Sequence, residues 1–328
     1  MQVFVTGGAG FIGSHVVALL RARGDDVVAT VRDRGRASAL VGLGCRIVES
    51  DLADASVLAE LIRGADAAIH IAGSYRIGIR PSERAAMWDA NVGTTQRVLD
   101  AAIAAGVGRI VYVSTNNVFG DTGGRIVDET YRRDPDAGFV SWYDETKFRA
   151  HEAAEARIRR GAPVVIAQPG GVYGPGDHSE AGAQLLAASR GELRYLAVAD
   201  AGLAWVHVDD VAAGIVAVLD RGRIGEAYSL AGDCLRLGEA IGLAAHARGR
   251  RPPRLRVPTA LLRAIAPLAD RVGGLPGLPP NLTEVIRASD GVTYWASHDK
   301  ATRELGWRPR PFEQGLRDTF ATALAAAE

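Results

Sequence analysis

Tyr143 and Lys147 form the pair in this sequence that is best suited to acid–base catalysis. Four positions apart on a helix, the two side chains would lie on one face. A tyrosine alone has a pKa of about 10, too high for proton exchange at neutral pH, whereas a neighbouring ammonium favours the phenolate and lowers that pKa. The pair therefore predicts a general acid or base with a cation beside it. The alternative is a surface lysine packed along a tyrosine ring.

Lysine is rare in this chain, which makes each one informative. Only two of the 38 basic residues are lysines, Lys147 and Lys300, and the rest are arginines. A compact ammonium on a flexible stem therefore stands at position 147 in a chain that otherwise uses arginine. Lys300 has no chemical role that the sequence indicates.

A hydroxyl group is expected near this pair to polarise the substrate oxygen. Ser114 and Thr115 lie at the end of a predicted strand, Arg109–Ser114. Parallel sheets bind ligands at the carboxyl ends of their strands, so either hydroxyl could serve. Most hydroxyls at strand ends bond the local backbone instead, and the residues alone leave the choice open.

Three glycines, Gly7, Gly10 and Gly13, follow the first predicted strand and open the first helix. Glycine allows a tight turn and a close approach of the backbone to a pyrophosphate, and a helix N-terminus offers free N–H groups. A glycine motif alone is weak evidence, but this one has a strand before it and a helix after it. It predicts a dinucleotide-binding turn.

The elements that must position these residues alternate between apolar strands and helices, which predicts an α/β fold with a doubly wound parallel sheet of the Rossmann type. After residue 173 the pattern loosens, so residues 1–173 are expected to form the dinucleotide-binding domain and residues 174–328 mainly a smaller substrate-binding region. Segments such as 204–218 are expected to return to the first domain. The predicted strands are Gln2–Thr6, Asp26–Val31, Arg46–Glu49, Ala67–Ile71, Arg109–Ser114 and Val164–Gln168, and the predicted helices are Gly13–Arg23, Ser56–Arg63, Trp88–Ala105 and Tyr143–Arg160.

Composition limits the function classes. The 38 basic and 38 acidic residues cancel, which argues against nucleic acid or an anionic membrane as the main partner. Two cysteines, Cys45 and Cys234, cannot build a disulfide framework, and the histidines lack the spacing of metal ligands, so no metal site is expected. With no visible signal peptide, a cytoplasmic protein acting on a small molecule is the expectation.

The segment TGGAGFIGSH at residues 6–15 resembles the opening of the extended short-chain dehydrogenase/reductases, the NAD-dependent epimerase/dehydratase superfamily. Further similar segments follow in the family's order over nearly the whole chain. The resemblance implies that Thr115 is the catalytic hydroxyl, with Ser114 second, beside Tyr143 and Lys147. It implies that the cofactor is bound by Gly7, Gly10, Phe11, Ile12, Gly13, Asp51, Leu52, Ala72, Gly73, Tyr143, Lys147, Pro169 and Val172.

The end of the second strand bears on the choice of cofactor. An acidic residue there would hold the ribose hydroxyls of NAD, whereas arginine accommodates the 2′-phosphate of NADP. The chain has Arg32 at this end and Arg36 shortly after it, and the two predict a phosphate site and hence NADP. A solvated basic loop, with Asp33 turned inward to bind NAD, is the alternative.

Departures from the epimerase pattern bear on the substrate. Gln168, Gly171 and Leu203 stand where nucleotide-sugar epimerases carry polar or arginine contacts, although Arg287 keeps the spacing of the last diphosphate arginine. Asn116 and Asn117 stand where dehydratases carry an acidic pair. The chain looks more like the dihydroflavonol-reductase and 3β-hydroxysteroid-dehydrogenase-like branch, with its apolar helix at Val257–Ala269.

This branch implies NADP(H)-dependent reduction of a carbonyl, or oxidation of the alcohol, in a small apolar substrate. A nucleotide-sugar epimerase or dehydratase with tightly bound NAD is the first alternative, and a non-catalytic cofactor sensor is the second. The residues expected to contact substrate are Ser74, Tyr75, Arg76, Asn117 and Tyr173. The helices at Trp88–Ala105 and Tyr143–Arg160 resemble those that pair in the family's homodimers.

Overall fold

A computed structural model describes residues 1–271 and 279–325, without the side chains of Arg36, Ala39, Pro135 and residues 322–325. The strands are β1 (Gln2–Thr6), β2 (Asp26–Val31), β3 (Arg46–Glu49), β4 (Ala67–His70), β5 (Arg109–Val113), β6 (Val164–Pro169), β7 (Gly171–Tyr173), β8 (Tyr195–Leu196), β9 (Gly202–His207), β10 (Ala227–Leu230), β11 (Asp233–Arg236), β12 (Leu255–Arg256) and β13 (Thr293–Tyr294).

The helices are α1 (Phe11–Ala22), α2 (Ser38–Gly42), α3 (Ala55–Ile62), α4 (Arg84–Trp88), α5 (Thr94–Ala104), α6 (Trp142–Ile158), α7 (Glu180–Arg190), α8 (Val208–Arg221), α9 (Leu237–His246), α10 (Thr259–Arg271), α11 (Leu282–Ser289), α12 (Asp299–Leu305) and α13 (Phe312–Ala325). A π-helical segment, Asp89–Gly93, joins α4 to α5. Within the residues that the structure describes, no helix is both long and apolar enough to cross a membrane.

Seven strands form one parallel sheet in the order β10–β6–β5–β4–β1–β2–β3. Its strands are apolar on both faces, as expected for a parallel sheet covered by helices on each side. Val3 and Val5 pack in one core with residues of α1 and α8, whereas Phe4 faces a second core with residues of α3, α5 and α6. The predicted Rossmann-type α/β fold is confirmed.

The strand order reverses between β1 and β4, and in such sheets ligands bind in the crevice at that point. Because all seven strands run parallel, the loops that follow β1 to β6 lie at the same end of the sheet, the carboxyl end of its strands. This end carries the residues that follow β1 to β5 in turn, which are the glycine turn, Arg32, Asp51, Gly73 and Thr115.

One predicted helix, Trp88–Ala105, is wrong in detail. The chain forms α4, then the π-helical segment, then α5, and α4 begins earlier, at Arg84. Asn91 lies in the π-helical segment, where its side chain bonds the backbone of Ser74 and the hydroxyl of Thr146. Single π-helical turns inside helices are frequent at functional sites.

Residues after 173 divide between the main sheet and a smaller region. Helix α8 packs on α1, and β10 adds a seventh strand beside β6. The smaller region is built on β9, which pairs with β7, β11 and β13, and on helices that include α7, α9 and α13. Helices α10 and α11 share a separate apolar core.

Lys300 has a structural role that the sequence did not indicate. Its Nζ donates to Glu226 Oε2 at 2.7 Å and to the carbonyl of Ala227 at 2.8 Å, and it lies 4.7 Å from the centre of the Tyr228 ring. These contacts attach α12 to the edge strand of the main sheet. Lys300 therefore stabilises β10 at the amino end of that strand.

Candidate functional site

The glycine turn is packed so tightly that larger residues could not replace two of its members. A Cβ on Gly13 would lie 2.0 Å from the carbonyl oxygen of Gly7. Gly7 has a φ of +72°, and a Cβ there would lie 2.7 Å from the amide nitrogen of Ala72. The turn thus brings the backbone after β1 against the loop after β4. Because glycine has no side chain, a ligand at the carboxyl end of the strands can approach this backbone closely.

The N-terminus of α1 fits the phosphates of a dinucleotide. Gly10 occupies the N-cap position and has no side chain to bond the first N–H groups, and the first turn carries no acidic residue. Phe11 and Ile12 are the first helical residues, and both are half-buried. Free N–H groups and the positive end of the helix dipole form an anion site, so these residues fit NAD or NADP.

Arg32 follows β2 directly and is exposed. Asp33 is committed to its own loop, because its Oδ1 accepts a hydrogen bond from the Gly35 amide at 2.8 Å and caps a short 3₁₀ helix, Arg34–Arg36. The side chain of Arg36, the second predicted phosphate ligand, lies outside the described residues. Arg32 is therefore an exposed cation at the end of β2.

The other predicted cofactor residues also lie near the carboxyl ends of strands. Asp51 is exposed and its Oδ1 accepts from the Ala53 amide at 2.9 Å, while Leu52 is buried with a φ of +63°. Gly73 faces Asn91, whose Oδ1 would lie 3.1 Å from a Cβ at that position. Pro169 ends β6, and Val172 in β7 packs against the main core.

Tyr143 and Lys147 lie one turn apart on α6, as their spacing predicts. Ser141 caps this helix, since its hydroxyl accepts from the Asp144 amide at 3.1 Å. The Lys147 ammonium donates to the carbonyl of Val113 at 3.3 Å, which attaches this face of α6 to the end of β5. The Tyr143 residue is 8% exposed.

Burial controls the protonation of both groups. It raises the pKa of the Tyr143 phenol, with the charge of a neighbouring phenolate at Tyr75 acting in the same direction, and the nearby Thr115 hydroxyl opposes the shift. Burial lowers the pKa of Lys147 to about 8. The expected lowering of the tyrosine pKa by the ammonium is therefore not seen in the protein alone, where desolvation dominates. Tyr143 holds its proton at neutral pH.

The structure distinguishes the two candidate hydroxyls. Ser114 is buried and its Oγ is hydrogen-bonded at 3.0 Å to Nδ1 of His151, which lies on α6. The Thr115 hydroxyl instead lies near enough to the Tyr143 phenol to favour its ionised form. Its Oγ1 also accepts from the Asn117 amide at 3.2 Å. The geometry brings Thr115, and not Ser114, to the phenol.

Apolar side chains enclose the tyrosine. Tyr143 packs in one cluster with the buried Ile79 and Met87, and with the half-buried Ile77 and Trp142. The ring of Tyr75 stands edge-on to the Tyr143 ring, with 4.8 Å between centroids. Tyr75 is itself 57% exposed, which places it at the opening of the site.

The remaining predicted substrate residues differ in position. Ser74 lies in the loop after β4, Arg76 pairs with Glu83 at 2.7 Å, and Asn117 is half-buried beside Thr115. Tyr173 lies in the core of the smaller region. It is 2% exposed and its hydroxyl donates to the carbonyl of Phe312 at 3.0 Å, so it presents no free group to a substrate.

His70, the last residue of β4, has a structural role. His70 is buried, with Nδ1 hydrogen-bonded to Thr6 Oγ1 at 2.7 Å and Nε2 to Thr95 Oγ1 at 3.0 Å. Burial, with help from the Lys147 charge, lowers the pKa of His70 to about 3, so it stays neutral. Among the described residues, no group of three or more His, Cys, Asp or Glu side chains could hold a metal ion.

Comparison with known proteins identifies the family of this chain. The model of the NAD dependent epimerase/dehydratase family matches residues 3–231. The chain belongs to that family. It is accordingly an NAD(P)-dependent enzyme of the extended short-chain dehydrogenase/reductase superfamily, and the resemblance expected from its motifs is confirmed.

Relatives of this family member differ in their named activities. "Sterol demethylase protein B" of Methylococcus capsulatus is 29% identical over 99% of this chain and 98% of its own length. "Putative dihydroflavonol 4-reductase" of Synechocystis is 30% identical over 96% of this chain and 92% of its own length. The crystal structure of DesIV, a dTDP-glucose 4,6-dehydratase from Streptomyces venezuelae with NAD and TYD bound, is 28% identical with a TM-score of 0.79, covering 99% and 97% of the two chains.

Two features of this epimerase/dehydratase family member were not foreseen as parts of its site. Asn91, in the π-helical segment, holds the loop at Ser74 against α6. Asp144, next to Tyr143, is fully buried and pairs with Arg133 at 2.8 Å. Burial raises the pKa of Asp144, although Arg133 opposes the shift. A polar residue on the inward face of a helix is the signal that could have identified both.

Proposed function

We propose that this enzyme uses NADP(H) to reduce a carbonyl group, or to oxidise the corresponding alcohol, in a small and largely apolar substrate. The observation that carries the proposal is the enclosure of Tyr143 by Ile77, Ile79, Met87 and Trp142 beside the Thr115 hydroxyl. A protonated phenol in apolar surroundings is suited to donate a proton to a developing alkoxide, because little water competes for it.

Three side chains act in this mechanism. Tyr143 donates its phenolic proton to the substrate oxygen, and Thr115 hydrogen-bonds the same oxygen so that charge developing on it is stabilised. Lys147 stabilises the phenolate that remains after proton transfer, from the same face of α6. NADPH, when bound at the glycine turn, supplies the hydride for the carbonyl carbon.

The preference for NADP rests on the end of β2. Arg32 is exposed there, and the carboxylate of Asp33 is occupied by the Gly35 amide. A guanidinium can bind a 2′-phosphate through two parallel hydrogen bonds. We propose Arg32 as the first phosphate ligand and retain Arg36 as the second.

The names of two relatives support parts of this proposal, the reduction and the apolar substrate. One carries the name of a reductase and another is named for a sterol. We accordingly place the substrate between the Tyr75 loop and the smaller region, with Ser74, Arg76 and Asn117 as further contacts. Tyr173 is left out because its side chain lies in a core.

A dehydratase or epimerase with retained NAD is the second candidate, favoured by the similarity to DesIV. Arg287 is exposed on α11, where a diphosphate could reach it. Asn116 and Asn117 carry no carboxyl group for acid and base steps, and Gly171 and Leu203 provide no polar contact for a phosphate. A non-catalytic sensor is disfavoured because Tyr143 and Lys147 are both present.

The deciding experiment is to purify the protein, release any bound nucleotide and identify it, and then to follow NADPH oxidation with a panel of apolar aldehydes and ketones. Exchangeable NADP and turnover are expected. Tyr143→Phe should lower kcat by about a hundredfold or more while NADPH still binds. The control is Tyr228→Phe, which removes a hydroxyl that donates to Glu304 on α12 beside β10. Retained NAD without carbonyl reduction would favour the second candidate, and full activity in Tyr143→Phe would contradict the mechanism.

Assembly and location complete the proposal. We propose a cytoplasmic homodimer that pairs through α5 and α6, with residues 1–173 binding the cofactor and residues 174–328 supplying most of the substrate region. Trp88, 38% exposed beside Trp142, is an apolar residue that such pairing would cover. Sedimentation of the protein as a monomer at high concentration would contradict the dimer.

A further inference from the structure

Glu284 is a buried carboxylate of α11 that reaches the catalytic helix. It is 1% exposed. It accepts hydrogen bonds from the amide of Trp142, from the amide of Gly78 at 3.1 Å, and from the side-chain amide of Asn281 at 3.2 Å. Because a buried carboxylate without donors is costly, these three N–H groups and the carboxylate hold one another in place.

The Trp142 amide belongs to the first turn of α6, one residue before Tyr143. The first N–H groups of a helix have no partner within it, and a carboxylate is stabilised at that end. Ser141 caps the Asp144 amide, and Glu284 takes the Trp142 amide. The end of the helix that carries Tyr143 is therefore fixed partly by a residue from the smaller region.

The Gly78 amide belongs to the loop that carries Tyr75. Gly78 has a φ of +76°, and a Cβ there would lie 2.6 Å from Val285 Cγ2, so the loop is pressed against α11. The Tyr75 ring in turn packs edge-on against the Tyr143 ring. One carboxylate thus joins both the catalytic helix and the loop that covers it.

A second contact on α11 supports the same connection. Arg287, one turn after Glu284, donates from Nε to the carbonyl of Val140 at 3.1 Å, just before α6 begins. Helix α11 packs on α10, with Leu262 and Ile286 in their shared core. A displacement of these two helices would therefore be transmitted to the start of α6.

We propose that Glu284 is a positioning residue: its carboxylate holds the start of α6 and the Gly78 loop in the arrangement that aims the Tyr143 hydroxyl at the substrate. The smaller region is thereby coupled to proton donation. The effect on catalysis rests on the proposed reductase function, whereas the positional link does not.

The link is tested by amide hydrogen exchange in the full-length protein. Glu284→Gln keeps the size of the side chain but offers one oxygen and an NH₂ group to three N–H donors. We expect faster exchange in residues 74–80 and 139–147 together. The matched control is Glu239→Gln, since Glu239 accepts from the Arg236 amide at 2.7 Å in the first turn of α9. Unchanged exchange in both segments of Glu284→Gln would overturn the proposal.

The catalytic effect is tested with a carbonyl substrate that the wild-type enzyme reduces. A small misplacement of an acid can cost about ten- to a hundredfold in rate, and we expect such a fall in kcat with unchanged NADPH affinity. The solvent isotope effect on kcat should rise, because proton transfer becomes limiting, and Glu284→Asp, which retains the charge, should be intermediate. A general loss of stability would lower the melting temperature without changing the isotope effect.

Two results separate this proposal from the proposed function. Wild-type values of kcat and of the isotope effect in Glu284→Gln would overturn the positioning role while the reductase stands. A wild-type enzyme that reduces no carbonyl would overturn the reductase, and the exchange experiment would still decide the link.

Discussion

The glycine turn and the contact between α6 and α11 position the two sides of the site by different means. Glu284 and Arg287 make this contact, which is called the α6–α11 junction below. In the turn, the deciding contact is between backbone atoms of residues close in the chain, since Gly13 lies against the carbonyl of Gly7. At the junction, Glu284 binds amides that are 142 and 206 residues earlier. A short motif can encode the first arrangement, whereas the second depends on the folded chain.

The largest effect is expected in the turn itself. Gly13→Ala would place a Cβ 2.0 Å from the Gly7 carbonyl oxygen, so the backbone must move. We expect the free energy of unfolding to fall by about 3 kcal/mol and dinucleotide binding to be lost, measured by denaturant titration and NADPH fluorescence. Gly242→Ala in α9, where a Cβ meets nothing within 4 Å, should stabilise by about 1 kcal/mol. Equal effects of the two changes would show that the turn tolerates a side chain.

Substitution of each hydroxyl residue after β5 tests which of the two acts together with Tyr143. Thr115→Val should lower kcat by about a hundredfold, because a donor to the substrate oxygen is lost. Ser114→Ala removes a hydrogen bond to His151 and should cost about 1 kcal/mol of stability with kcat nearly unchanged. Steady-state kinetics and thermal melts of both variants measure this. The reverse ranking of kcat would assign catalysis to Ser114.

Substitution of Arg32, at the end of β2, tests whether this residue sets the preference between NADP and NAD. Arg32→Ala should weaken NADPH binding by about tenfold, as expected for one charge-assisted hydrogen bond, and should leave NADH binding unchanged. Titration of each nucleotide with the wild type and the variant measures the ratio. An equal loss for both nucleotides would mean that Arg32 does not contact the 2′-phosphate.

The smallest effect is expected in the pH dependence of stability that Lys147 causes. Its folded-state pKa of about 8 lies below the 10.5 of a free lysine, so between these values the unfolded chain binds a proton that the folded chain lacks. Wild-type stability should therefore rise with pH across that window, relative to Lys147→Met. Below pH 8 the variant should melt a few degrees higher, because no charge is buried. Parallel stability curves for the two proteins would contradict the lowered pKa.

Much of the fold was predictable because it depends on local patterns. The apolar runs of β1, β2 and β3 have the predicted bounds, since both faces of a parallel strand are buried and the run is bounded by turn residues. The π-helical segment at Asn91 was not predictable, because it depends on Ser74 and Thr146 from other parts of the chain. Hydrophobic periodicity carries no record of such contacts.

The parallel sheet, the glycine turn and the spacing of Tyr143 and Lys147 could be read from the chain alone, because each depends on residue type and short-range geometry. The folded structure was needed to show that the Thr115 hydroxyl lies near the phenol, that Ser114 and Tyr173 bond other groups, and that burial sets the protonation of Tyr143 and Lys147. It also decided the place of Glu284. These outcomes depend on desolvation and on hydrogen bonds between distant segments, which arise only when the chain is packed.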